Sequence, residues 1–256
     1  MNTILVPAQG RWCDTSLTGQ PLTWYRALKA AGYQGIILDL ASQGWPTDYN
    51  FALDAGLAVM LNQGYVPGQW NDPARAKTTA DYAIQQVESV QYNPGASLFL
   101  DCEAMTGITA DQALGWLNTW DMNLHATGYT RLGKYEGAEC PLSGAQWYGL
   151  PLTVSYYKAK SLVPPVPHRG YQLIQTGVQR LFQGVYIDED EAGPDQLGQH
   201  AMAVLKAPSV PPTPPKPSGV VAGPNWEPMM ATLQQTVTAL PQQVADLHAA
   251  LLRPTK

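Results

Sequence analysis

Eight short β-like runs alternate with segments of helical pattern over roughly the first 206 residues, and no other feature constrains the fold of this chain as strongly. The runs lie at Ile4 to Pro7, Gly35 to Leu40, Ala58 to Gln63, Ser97 to Asp101, Thr130 to Tyr135, Pro151 to Ser155, Tyr171 to Thr176 and Val185 to Asp188. Helical patterns fall at Leu22 to Ala31, Asp72 to Val90, Thr109 to Thr127 and Pro194 to Lys206, the third opened by a Thr109 cap with Asp111 in its first turn. Eight strands in such an order suit closure, so the expected class is α/β, a (β/α)8 TIM-like barrel. A full set of eight helices hardly fits into so few residues, which implies a trimmed version. The alternative, an open doubly wound sheet, often carries a Gly-rich phosphate loop, and none is present.

The whole chain has 256 residues, 45% of them hydrophobic, enough for one sizeable core or for a domain with an appendage. Its composition changes abruptly at Ala207 to Pro224, which holds seven prolines and reads as a stiff, extended linker. Beyond it, Met230, Leu233, Val237, Leu240, Val244, Leu247 and Leu251 step by three and four, an apolar seam of heptad period. A lone helix cannot bury such a stripe. Segment 229–252 is therefore expected to dock on the barrel, on another protein such as a virion component or on copies of itself, with self-association favoured because the linker holds it away from the barrel, and with Pro241 interrupting the helix or starting a second segment. The expected layout is a barrel over 1–206, a linker over 207–224 and an amphipathic helix over 225–256.

Composition also narrows the function. A net charge of -5, with 14% charged residues and no basic cluster, offers no footprint for a nucleic-acid backbone. Three cysteines without a C-x-x-C pair and four scattered histidines point to no disulfide framework, metal site or cofactor. Met1 to Gly10 lacks the basic start and apolar core of a secretory signal, and no run is long enough for a membrane span. Delivery as part of a virion, or an extracellular role reached by another route, is the expectation. Thirteen tyrosines and eight tryptophans against three phenylalanines give most aromatic surface a polar handle, suited to sugars and equally to core edges that are wet.

The chemistry concentrates in acids. Asp101 and Glu103 close the apolar run Ser97 to Leu100 at i and i+2, so both carboxylates leave one strand on the same face. Glycosidic hydrolysis needs two acids with unequal pKa values, one protonated and one ionised. An N-cap or a solvated strand end would need nothing more than the same residues. In a parallel barrel the active site lies at the C-terminal strand ends. Asp14 follows the first strand and Asp188 closes the eighth, so both are expected to face Asp101 and Glu103 across the mouth, and Asp39 can join them. Structural ion pairs with Arg11, Lys134 or Lys158 are the competing use for these acids.

Asp14, Thr15 and Ser16 with the following Leu22 to Ala31 and Gly35 to Leu40, the Asp101-x-Glu103 motif, Gln172, and Gly184 to Asp188 together resemble the Chalaropsis-type muramidases, glycoside hydrolases of family twenty-five. The resemblance is closer still to the divergent glycoside-hydrolase-like domains related to those lysozymes, found in bacterial secreted and phage proteins. It covers residues 1 to about 200. It implies Glu103 as general acid on the aminosugar bond of peptidoglycan, its pKa raised by burial or by Asp101, with Asp14 and Asp188 ionised. Tyr65, Gln172 and Tyr135 are the implied sugar contacts. Tyr171 and Leu173 replace aromatic residues that usually flank the glutamine, and Asp39 to Ser42 departs from the usual second-strand end. A barrel that binds glycan or serves as a structural part without cutting is the alternative.

Overall fold

The computed structural model describes residues 2–65, 68–137, 139–159, 165–166 and 169–208. The proposed linker and seam, apart from Ala207 and Pro208, lie outside the described residues. The chain divides into two units, Met1–Pro208 and Ser209–Lys256, and all described strands and helices belong to the first.

Strand β1 (Thr3–Pro7) does not enter the barrel. The ring begins with β2 (Gly10–Thr15) and continues through β3 (Gly35–Asp39), β4 (Ala58–Gln63), β5 (Leu98–Asp101), β6 (Leu132–Glu136), β7 (Thr153–Lys158) and β8 (Leu173–Phe182), each parallel to the one before. Strand β9 (Val185–Ala192) returns antiparallel to both β8 and β2 and closes the barrel at eight strands. A last strand, β10 (Met202–Lys206), pairs antiparallel with β1 and touches β4 at Val204↔Val59.

Two expectations are corrected here. The first barrel strand is Gly10–Thr15 rather than Ile4 to Pro7, because β1 has β10 as its partner and the pair covers the barrel foot. Ala8, Ala201 and Ala203 pack there against Trp12, Met60 and Phe99 of the interior. The helix expected at Pro194 to Lys206 is instead a loop and β10, where Ala201, Ala203 and Val204 are buried in strand pairing. Small apolar residues at two-residue spacing fit that foot, and Ser97 N–H donates to the Met202 carbonyl to fix it.

Among the described residues the outer layer has five helices: α1 (Leu22–Ala30), α2 (Trp45–Asp54), α3 (Pro73–Ser89), α4 (Ala110–Ala126) and α5 (Gly144–Tyr148). α2 and the short α5 had no counterpart in the sequence reading. α3 starts at Asp72, whose carboxylate accepts from Ala74 N–H, with Pro73 at the first helical position. α4 and α5 both begin with reciprocal caps, Thr109 with Gln112 and Ser143 with Gln146. β8 and β9 are joined by a hairpin, so the barrel is trimmed where the chain reverses.

Trp24, Trp45, Trp116, Trp120 and Trp147 fill the layer between sheet and helices. All seven tryptophans among the described residues are buried, so their aromatic area serves packing rather than sugar stacking. Lys134 faces this outer layer too. Its ammonium lies 2.5 Å from Asp121 of α4 and 4.7 Å from the centre of the Trp120 ring, with Thr153 donating to the other Asp121 oxygen at 2.9 Å.

Candidate active site

Strand alternation sends every second residue inward, and at the C-terminal rim the inward positions are polar. Asp14 of β2, Asp39 of β3, Asn62 of β4, Asp101 of β5, Tyr135 of β6, Tyr157 of β7 and Gln175 of β8 line a cavity of about 210 Å³ with Thr15, Ser16, Ile37, Glu103 and Asp188. Its described lining includes five carboxylates and no lysine, arginine or histidine. Asp188 reaches this rim by a different route from the one its sequence position suggested. Because β9 runs backwards, Asp188 lies near its start and pairs in register with Asp14.

Two of the basic residues suspected of neutralising these acids have other partners. Arg11 points outward to Glu189 at 2.5 Å, over the Tyr33 ring, and Lys134 is held by Asp121. Among the described residues no group of three or more His, Cys, Asp or Glu side chains is arranged to hold a metal ion.

Asp101 accepts from the Glu103 N–H at 2.9 Å and from the backbone of Tyr65. Burial, and then the neighbouring charge of Glu103, push its carboxyl up to about 7, against the lowering effect of those backbone donors. The pair Asp101 and Glu103 thus retains a proton into the neutral range, as an acid catalyst requires. A raised acid is expected from the sequence at Glu103; the structure shows a raised carboxyl at its neighbour Asp101, at the strand end. Glu103 is held from the side by Gly137, where a Cβ would fall 2.2 Å from the Glu103 Cγ, and its carbonyl accepts from the Trp70 indole at 3.0 Å.

The raised Asp101 carboxyl has a consequence for stability. Its unfolded form ionises near 3.8 while the folded form holds its proton to about 7, so stability falls as pH rises through that window. Asp101→Asn is expected to leave stability nearly unchanged near about pH 4 and raise it by about 4 kcal/mol near about pH 8. Denaturant melts of both proteins at the two pH values check this, and an equal difference at both would refute the assignment.

A second set lies on the opposite wall. The Tyr157 hydroxyl sits 2.5 Å from Asp14 and 2.6 Å from Asp190, and Gln175 donates to the same Asp14 oxygen at 3.2 Å while accepting from Tyr135. One hydroxyl proton cannot serve two carboxylates, so the triad carries a second proton. It resides on Asp190, which is 2% exposed and pushed well up by burial and by the charge of Asp14. The Tyr157 hydroxyl thereby links Asp190 to Asp14. Asp190 and Tyr157 were not foreseen; strand parity is the signal that finds them, Asp190 being two residues beyond Asp188 on one strand face.

Of the expected sugar contacts, Tyr135 lines the cavity. Tyr65 gives its backbone to Asp101 and packs its ring against the outer core. Gln172 does not join the site. It precedes β8, is 1% exposed, accepts from Tyr156 N–H at 2.7 Å and donates to Asp195 at 2.7 Å. Its amide ties β7 to the loop after β9, a use that needs no sugar.

Residues 26–192 match the family described as Rv2525c-like, glycoside hydrolase-like domain, and the chain belongs to that family. The fold is similar to that of the Tat-secreted protein Rv2525c of Mycobacterium tuberculosis, seen in complex with L-tartrate. That likeness has 16% identity and a TM-score of 0.56 over 75% of this chain and 99% of that one. A family 25 glycosyl hydrolase from Bacillus anthracis shares 13% identity at a TM-score of 0.55, with 74% and 91% covered. The modular autolysin LytC of Streptococcus pneumoniae, in complex with a synthetic peptidoglycan ligand, shares 14% identity at a TM-score of 0.50 over 71% of this chain and 46% of that longer one. No curated protein matches the chain by sequence.

Proposed function

We propose that the barrel is a glycoside hydrolase directed at the glycan of bacterial peptidoglycan, acting through Glu103, Asp101, Asp14 and Asp188. The observation that carries this reading is the convergence of these four acids, from three distant stretches of sequence, on one cavity where one of them keeps its proton to about 7. A family 25 hydrolase and a peptidoglycan-bound autolysin of the same fold support the substrate class.

Glu103 donates the proton shared with Asp101 to the glycosidic oxygen as the bond from that oxygen to the anomeric carbon breaks. Asp14 and Asp188 face the positive charge that develops on the sugar ring and stabilise it. Capture of the anomeric carbon, by a carboxylate or by the substrate's own N-acetyl oxygen, precedes or accompanies addition of water. That water supplies hydroxide to the carbon and returns a proton to the pair. The Asp190–Tyr157 arrangement, with Gln175, fixes Asp14 in direction. The segment 229–252 is assigned to joining copies of the chain or seating it on a virion.

The deciding experiment is digestion of dye-labelled, purified cell walls by the full chain, with soluble dye and new reducing ends measured together. Both should appear in step. Dye without reducing ends would mean peptide-bond cleavage, and neither, with a folded protein across several wall types, would favour a barrel that does not cut.

Gly137 gives a sharper check on geometry. Gly137→Ala must rotate Glu103 away from its present position, since the added methyl overlaps the side-chain stem. Turnover should fall about 10²-fold with little change in the melting curve, and an unchanged rate would show that Glu103 need not occupy this position.

A further inference from the structure

We propose that the β8–β9 hairpin is a sugar-binding wall that lengthens the acidic cleft, with Tyr186 and Leu181 forming the surface on which a pyranose ring stacks. This rests on the glycan reading above and assigns it a second site. Strand β2 accompanies β9 in register only as far as Asp14↔Asp188, whereas the hairpin continues upward through Arg180↔Ile187 and Leu181↔Tyr186 to Phe182↔Val185.

The two faces of that extension differ. Phe182 and Glu189 point outward: the Phe182 ring packs edge-on against Trp24 and Tyr33 at 5.8 and 6.3 Å, and Glu189 holds Arg11 and Arg180. The Trp24 indole donates to the Phe182 carbonyl, and Thr15 donates to the carbonyl of Tyr186. The hairpin is thereby braced from behind. Tyr186 lies two residues from Asp188 on β9 and so shares its face, about 7 Å further toward the turn. Leu181, directly opposite Tyr186, lies on that face as well.

Tyr186 and Leu181 are each 58% exposed, an unusual setting for two large side chains on a braced strand pair. The face contains no charge beyond Asp188: Arg180 turns to Glu189 on the other side, and Gln179, opposite Asp188, offers an amide. A neutral, amphipathic ring fits there, its C–H face on tyrosine and leucine and its hydroxyls on glutamine. An anionic polymer would meet the acids below without a compensating cation on this wall.

The test uses the full chain carrying Glu103→Gln, so that binding is read without cutting, and purified peptidoglycan sacculi as the probe in a pelleting assay. Adding Tyr186→Ser with Leu181→Ser should raise the apparent Kd about tenfold or more, while Tyr186→Phe alone, which keeps the ring, should stay near the parent. Leu197→Ser, equally exposed but on the loop beyond the opposite end of β9, should have no effect. Parent-like affinity in the double variant, with folding verified by circular dichroism, would overturn the proposal. So would a change confined to oligomeric state in light scattering, which would make the surface a contact between copies. Absence of any wall affinity in the parent would overturn it too, and release of reducing ends by the intact chain would then still support the hydrolase.

Discussion

Replacing Glu103 by glutamine is expected to lower release of reducing ends from cell walls by about 10³-fold while leaving the fold intact. Glutamine keeps the volume and the contact with Gly137, but it has no acidic proton for a departing alkoxide. The loss should fall on kcat, because the proton moves only as the bond breaks, and KM should change little. Substrates with better leaving groups, such as aryl glycosides of the same aminosugar, should recover part of the rate, since they depart with less protonation. A rate within tenfold of the parent on native walls would remove Glu103 from the chemistry. Asp101 would then be the donor to examine.

Lys134→Met should cost about 3–5 kcal/mol of stability, the largest effect foreseen for a single change outside the cleft. Lys134 and Asp121 are both fully enclosed, and loss of the ammonium strands a carboxylate that keeps only the Thr153 hydroxyl. For a barrel of this size the melting temperature should drop by roughly 10 °C. Asp121→Leu in the same chain should restore much of it, because an apolar pair of similar volume avoids desolvating charge. Turnover at a temperature where both proteins are folded should be unchanged, since Lys134 faces away from the cavity. A loss of activity without a loss of stability would instead tie Lys134 to the acids of the site. Calorimetry and wall digestion on the same samples separate the two outcomes.

The strands that sequence located best, β3, β4 and β5, are apolar on both faces because helices cover one side and the barrel interior the other. β2 was harder to see, since Gly10 to Thr15 mixes an outward arginine with inward Trp12 and Asp14 and does not read as an apolar run. β10 resembled a helix because Ala, Met, Leu and Lys favour helices; the pairing with β1 overrides that preference. The rim acids were legible because strand ends in a barrel converge. Asp190 was hidden inside a run of four acids, Asp188 to Glu191, in which charge alone cannot tell inward from outward. Strand parity does so: Asp188 and Asp190 face the interior while Glu189 meets Arg11 outside. Gln172 shows the opposite case, a residue singled out by motif whose amide is spent on the Tyr156 backbone and the Asp195 carboxylate.

Reversal of the last barrel strand also makes the cleft adjustable. Helical crossovers between β2 and β7 tie strand length to the packing of a helix, whereas β8 and β9 are joined by a simple reversal. Adding two residues to each arm would raise the wall by about 7 Å and keep every side chain on its present face. A single-residue shift would turn the stacking surface outward. The height of this wall can thus change by whole dipeptide steps in one hairpin, with the acids beneath left in place.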